Sequence, residues 1–527
     1  MAFGILEPSF NTNPRGTTLL ENVRDGHRAE VVLVPQPSTS KHDPLNLSKV
    51  RKELAFATII LGACFTGVIG PLLVPGFGIL TVVFDVEISG ITVTNGALVM
   101  ALGVSAYLCS CFAVVYGKRL VFLFTTVLLI VTCCWGASAK TYKSFLGARI
   151  MQGLGMGGFF ALAGTASIND LFFVHERGFR VGLWNFAVIV SVNITPIISG
   201  YVIVNLSWRW SFWLLVIAFG ILLACVVFLF PETTFDRQIA DVDVETTEDH
   251  IPQSVSDSRQ KESLNDEVVN DSTAGTVLLP SSLWSRALGL EHIEIKDQSR
   301  IFALCVSPLL LIRHPAIVWG SMMWAVTFTW VIIQGAIATQ VFGAPPYSLS
   351  ATAVGNLVGI APLIGAALGT LVGGWSCDYI SQILAVLNKG VFEPEFRLLI
   401  IIPAVVTIAV GGFGLGAAIQ NENSAVVCGV FLAFINFSVG IGCTGIVSYT
   451  NDVCQEKAGE AFGLAMVIKS GFAFGLTFML NDYYASKGPL IFFSTWTGLT
   501  LGVMFLTIPM YVFGKRIRAW VDEKRII

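Results

Sequence analysis

Two blocks of six apolar stretches, split by one polar, acidic segment from Phe235 to Arg300, constrain this chain more than any single motif. A helix rising about 1.5 Å per residue needs about 20 apolar residues to cross a hydrocarbon layer roughly 30 Å thick. Twelve such stretches in a 6 + 6 order predict an all-α membrane protein with its transmembrane helices in two pseudo-symmetric six-helix bundles. That is the architecture of a transporter built from two related halves.

The predicted spans cover residues 54–75, 93–115, 120–139, 145–167, 181–204, 210–230, 316–341, 354–376, 398–419, 425–447, 460–481 and 489–513. They divide the chain into an N-terminal tail (1–53) expected to be disordered, a first bundle (54–234), an acidic linker (235–312), a second bundle (313–514) and a C-terminal tail (515–527). The linker is rich in Ser and acidic residues to about Ser282, too polar to offset its ordering entropy, and is expected to be a disordered tether. Leu283–Arg300 mixes apolar and charged positions, as a short amphipathic helix on the membrane face does.

Composition agrees with this division. Of 527 residues, 54% are hydrophobic and 13% charged, against about 25% charged in soluble domains, so most of the surface faces something other than water. Many of the 51 glycines lie inside apolar runs, where small residues let helices approach closely in lipid. A net charge of −3 gives no sign of nucleic-acid binding. Cys64, Cys109, Cys111, Cys133, Cys134, Cys225, Cys428 and Cys443 sit inside apolar runs, and Cys377 and Cys454 at span ends, with no metal-ligand spacing. They read as buried thiols acting as small apolar residues. Met1–Lys52 is polar and carries no cleavable leader, so the first span is expected to act as the insertion signal.

Orientation follows from basic residues in short loops. With the N-terminus in the cytoplasm, thirteen lysines and arginines flank the inner ends, among them Lys49, Lys118, Arg180, Arg397, Lys457 and Arg516. Only four, Lys140, Lys143, Arg209 and Lys487, fall in outer loops. Both termini and the linker are therefore expected in the cytoplasm. Asn205-Leu-Ser207 is an N-glycosylation sequon in a short outer loop.

The residues with chemistry to offer are few. Arg149 lies a few residues into the fourth span, where a charge costs several kcal/mol unless it is paired or faces a wet cavity. Gln152, Gly153, Gly155, Gly157 and Gly158 follow it, marking a packed helix face rather than a lipid-facing edge. The fifth span holds a ladder of small residues, Gly182, Ser191, Thr195-Pro196 and Ser199-Gly200, in which the proline bends the helix. Lys469 is the other deep charge, in the eleventh span, and acids suited to carrying a proton are scarce. No nucleophile–base or metal-ligand set suggests an enzyme.

From Asp43 to Phe513 the chain resembles the major facilitator superfamily, in particular its fungal drug:proton antiporter branch. Phe145-Leu-Gly-Ala-Arg-Ile-Met-Gln-Gly153 is similar to that family's fourth-span motif, whose arginine is implicated in proton coupling. The fifth-span ladder resembles the antiporter motif G-x8-G-x3-G-P-x2-G-G, with Ser191, Thr195 and Ser199 in place of glycines. Asp43-Pro-Leu-Asn46, Asp170-Leu-Phe-Phe-Val-His-Glu-Arg177, Trp208-Arg-Trp210, Pro231-Glu-Thr-Thr234 and Phe392-Glu-Pro-Glu-Phe-Arg397 add to the likeness. The hinge motif after span two departs from the family: Ser110 and Val114 replace its glycine and aspartate ahead of Gly117-Lys118-Arg119. Its counterpart after span eight, Gly374-Trp-Ser-Cys-Asp378, keeps the acid, so Asp378 is expected in a gating pair while the N-terminal gate uses other contacts.

The resemblance implies a cleft lined by spans 1, 2, 4, 5, 7, 8, 10 and 11. Polar and aromatic candidates there are Asn185, Asn193, Trp324, Trp330, Gln334, Asn356, Asn436, Tyr449, Lys469 and Phe472, suited to a bulky amphipathic molecule. The expectation is a monomeric plasma-membrane protein that needs no cofactor and exports a small molecule at the expense of the proton gradient. Import of an organic cation or polyamine is the rival within the same fold. A non-transporting sensor is the remote one.

Overall fold

The computed structural model describes residues 3–8, 14–19, 43–234, 301–454 and 457–524. The acidic run and the amphipathic stretch expected up to residue 300 lie outside these. Within them, twelve helical segments are long and apolar enough to cross a membrane. Spans 1 to 6 are Lys49–Phe84, Ile88–Tyr116, Lys118–Ser138, Tyr142–Leu171, Arg180–Asn205 and Trp208–Leu229. Spans 7 to 12 are Pro315–Phe342, Ala351–Leu387, Pro394–Gln420, Ala425–Cys454, Gly459–Thr477 and Leu480–Glu523. The end of the bundle carrying Lys49 and Glu523 is called the terminal end below, and the opposite end the distal end.

Two spans break where the sequence requires it. Span 1 is α-helical over Lys49–Val68, passes through a 3-10 turn at Pro71–Gly76 and resumes at Phe77–Phe84. Pro71 and Pro75 have no N–H to donate, so the α ladder cannot run through them. Span 12 kinks at Gly488, whose φ of 77° suits glycine, immediately before Pro489.

Each half packs by glycine against backbone. A Cβ on Gly153 would lie 2.2 Å from the Leu98 carbonyl oxygen, and one on Gly365 would lie 2.0 Å from that of Ala433. These stripes bring span 4 onto span 2 and span 8 onto span 10. Aromatics fill the rest: Phe122 stacks on Phe159 at 4.6 Å, and Phe84, Phe145 and Trp208 close the distal end of the first half. None of the eleven cysteines forms a disulfide, and seven of them are buried.

The largest departure from the sequence expectation concerns the tails. Residues 3–8 and 14–19, expected to be disordered, are folded onto the second half. Strand β1 (Thr18–Leu19) pairs antiparallel with β2 (Val391–Phe392) in the loop between spans 8 and 9. Ile5 is buried with Ala385 and Phe396, and the Leu6 N–H donates to the Val512 carbonyl at 2.9 Å. Residues 515–523, expected to be a C-terminal tail, continue the last helix (Thr507–Glu523).

The two tails meet over a buried charge cluster. Arg518 Nη2 lies 2.8 Å from Glu393 Oε2 and 2.7 Å from Glu395 Oε2, and Lys515 Nζ lies 2.7 Å from Glu393 Oε1. Arg518 also donates through Nη1 to the Arg15 carbonyl at 2.7 Å and to Thr17 Oγ1 at 3.1 Å. Removing one member of a buried ion pair costs about 3–5 kcal/mol, because its partner is left charged and dry. Arg518→Ala is therefore expected to lower the melting temperature of the purified protein clearly, while Arg516→Ala, at the surface beside it, changes it little.

His314 caps span 7, its Nδ1 accepting the Ala316 N–H at 3.1 Å. Burial pushes its imidazole down to about 4, so it caps as the neutral base. The unfolded chain takes up this proton near the ordinary value of about 6.5. The cap's stability is thus full above that pH and is lost as pH falls toward 4.

Candidate functional site at the seam between the halves

The halves meet along two seams. In one, span 5 packs on span 8, with Pro196, Ile197 and Gly200 at the contact. A Cβ on Gly355 would lie 2.3 Å from the Pro196 carbonyl oxygen, one on Gly359 would lie 2.3 Å from Ile197 Cγ1, and one on Gly200 would lie 3.2 Å from the Ala351 carbonyl. Ser191, Thr195 and Ser199 are buried and turn their hydroxyls back onto their own helix, at Val188, Ser191 and Pro196 carbonyls. Ser191 faces span 1 rather than this seam: a Cβ on Gly67 would lie 2.7 Å from its Oγ. Gly182, at the terminal end of the ladder, meets nothing within 4 Å.

In the other seam, span 2 packs on span 11. Cβ atoms on Gly96 and Gly103 would lie 2.4 Å from Thr477 Oγ1 and 2.5 Å from Ser470 Cβ. Further contacts cross between the halves at the distal end. Asn481 Nδ2 donates to Thr92 Oγ1 at 2.7 Å, Thr339 Oγ1 to the Val74 carbonyl at 2.9 Å, and Asn356 Nδ2 to Tyr201 Oη at 3.2 Å. These hydrogen bonds hold the halves together at the distal end.

Arg149 is 1% exposed, and among the described residues no acid pairs with it. Its Nη1 donates to the Ile69 carbonyl at 3.2 Å and to Gln152 Oε1 at 3.1 Å, and its Nη2 to Asn95 Oδ1 at 2.8 Å. Ile69 is the residue at which span 1 leaves its α-helix. One guanidinium therefore ties spans 1, 2 and 4 together at the break. Asn95 gave no sequence signal, since a polar residue inside an apolar span does not reveal which neighbour it faces.

The cavity candidates separate into groups. Gln334 and Asn436 meet across spans 7 and 10, Asn436 Nδ2 donating to Gln334 Oε1 at 3.0 Å. Trp324 meets Lys469, whose Nζ is 5.3 Å from that ring and 3.7 Å from the ring of Phe328, a residue the sequence reading did not single out. Lys469 is 3% exposed, and among the described residues no carboxylate pairs with it. A buried unpaired ammonium costs several kcal/mol, and a desolvated aromatic face returns about 2 kcal/mol. Asn193 bonds its own helix at the Ile189 carbonyl, and Asn185 is half-buried on the same span. Trp330 and Tyr449 belong to the packing of the second half: Trp330 is 0% exposed and donates to Thr500 Oγ1 at 3.0 Å, and Tyr449 is 0% exposed and edge-on to Trp319. Phe472 is exposed, as is Asn205 at the end of span 5.

At the terminal end each half carries its own charge lock. In the first, Lys118 pairs with Asp170, and the Glu232 carboxylate accepts the Lys118 and Arg119 backbone N–H groups, each at 3.0 Å. A carboxylate at a helix N-terminus satisfies orphan donors and meets the positive end of the dipole. Gly117 has a φ of 83°, and a Cβ there would lie 2.6 Å from Glu232 Oε2, so this turn needs its glycine. In the second half Arg397 lies 3.1 Å from Asp378 and 2.6 Å from Asp452, while Gly374 has open space beside it. The absent hinge aspartate is thus replaced by acids from the ends of spans 4 and 6. Both locks join helices of one half only.

A family model described as the Major Facilitator Superfamily matches residues 54–478. An uncharacterized MFS-type transporter of Schizosaccharomyces pombe, C1271.10c, is 28% identical, with 94% of this chain and 89% of that protein covered. Protein HOL1 of Saccharomyces cerevisiae is 24% identical, covering 94% of this chain and 91% of its own. The partially occluded inward-open xylose transporter XylE from E. coli superposes with a TM-score of 0.60 at 14% identity, over 88% of this chain and 98% of that one.

Proposed function

This chain belongs to the Major Facilitator Superfamily and is a secondary transporter, and we propose that it exports a small organic molecule, such as a drug or secondary metabolite, in exchange for protons across the plasma membrane. The observation that carries this reading is the position of the fifth-span ladder. Its Pro196 and Gly200 lie on the seam with span 8, where a rocking motion of the halves must make and break contact. In this reading the terminal end is cytoplasmic, the distal end faces outside, and Arg149 transmits proton coupling through the three helices it joins.

Import of an organic cation, the rival reading, calls for a carboxylate or an aromatic cage at the site. Beside Trp324 and Phe328 the ammonium of the protein's own Lys469 repels a second cation. Growth of a transporter-deficient yeast across a panel of toxic compounds and polyamines separates the two. Export predicts that expression of this protein raises tolerance to some of the toxic compounds. Restored polyamine uptake without any gain in tolerance overturns it.

A further inference from the structure

Lys469 has no role in the coupling scheme above, and its surroundings are those of an incomplete site. Its ammonium has three donors and no acceptor. Among the described residues no hydrogen bond or ion pair satisfies them; Trp324 and Phe328 lie beside it as π faces, and Cys443 of span 10 is its ionisable neighbour. Trp324 and Phe328 are only half-buried, while Lys469 itself is 3% exposed. Further along span 7 toward the distal end, Gln334 Nε2 is a second buried donor without an acceptor among the described residues. The deep charges on both sides of the seam, Arg149 and Lys469, are positive, and among the described residues no carboxylate neutralises either.

We propose that Lys469 is a substrate-selecting residue that receives an anionic oxygen, a carboxylate or ionised enol, on an otherwise flat apolar molecule lying against Trp324 and Phe328. A charge-assisted hydrogen bond to the incoming oxygen supplies the missing acceptor. The rings hold the apolar body. This deepens the transporter reading and rests on it. A cation brought to the same place meets like charge with no compensating acid.

The test uses purified full-length protein in detergent, without a proton gradient, so its outcome does not depend on coupling or direction. Binding of three probes with the same ring is measured by thermal shift and tryptophan quenching: naphthaleneacetate, naphthaleneethanol and naphthylmethylammonium. The expected result is that naphthaleneacetate binds at least tenfold more tightly than the other two. Lys469→Met should abolish that preference without lowering the melting temperature, since an apolar side chain replaces an unpaired charge. Lys469→Arg should retain it within a few-fold. Naphthylmethylammonium binding as tightly as the anion, absence of naphthaleneacetate binding, or an anion preference that survives in Lys469→Met would each overturn the proposal. Loss of the preference in Lys469→Arg as complete as in Lys469→Met would also do so. Failure of the vesicle transport test with these binding results intact would count against proton-coupled export and not against the anion site.

Discussion

Gly355→Leu is expected to abolish transport while leaving a folded, membrane-inserted protein. A Cβ at Gly355 would lie 2.3 Å from the Pro196 carbonyl oxygen, 3.2 Å from its carbon and 3.3 Å from the Pro75 ring. These are backbone and proline atoms, which cannot swing aside as a long side chain does, so the helices themselves must separate. Separation at this point breaks the distal contacts between the halves, and a transporter that cannot close one end cannot alternate. Each half keeps its own core, because the stripes on Gly153 and Gly365 lie inside the halves, away from this seam. Transport below about a tenth of wild type, at matched expression and with a normal gel-filtration profile, is the outcome expected from overpacking at a moving contact. Gly220→Leu, where nothing lies within 4 Å, serves as the control and should transport normally.

Arg149→Ala should be as damaging, by a different route. The substitution leaves the Ile69 carbonyl, Asn95 Oδ1 and Gln152 Oε1 without their donor inside the bundle. Each unsatisfied buried group costs about 1–3 kcal/mol, so the break in span 1 loses the clamp that fixes it to spans 2 and 4. Transport should vanish, and the melting temperature should fall. Arg149→Lys keeps the charge but has no planar fork to reach three acceptors on three helices. It should restore much of the stability and little of the proton-driven transport. Normal transport in Arg149→Ala at full surface expression would contradict any coupling role for this residue.

The twelve spans were legible because length and hydropathy are local properties, and the halves followed from the polar break between them. What escaped was long-range pairing. Nothing in residues 3–19 announces that Thr18 will sit opposite Phe392, or that Arg518 will reach Glu393 and Glu395. A polar, charged stretch reads as a free tail when its partner charges are hundreds of residues away. The candidate cavity residues were half legible for a related reason. Periodicity places Trp330 on a helix but does not say which side faces the seam, and the structure turns it inward to Thr500 and Phe493. Lys469 stood out as a charge among apolar residues, whereas Phe328, its closest ring, is one of 38 phenylalanines and carried no mark.

The most direct measurement is uptake into inside-out membrane vesicles of a compound to which this protein gives yeast tolerance. Here the vesicle lumen corresponds to the cell exterior, so an acid lumen should drive the compound inward while protons leave. The account predicts uptake that requires the acid lumen, collapses with a protonophore and is accompanied by lumenal alkalinisation. Uptake indifferent to the proton gradient, or driven by the opposite one, would contradict it.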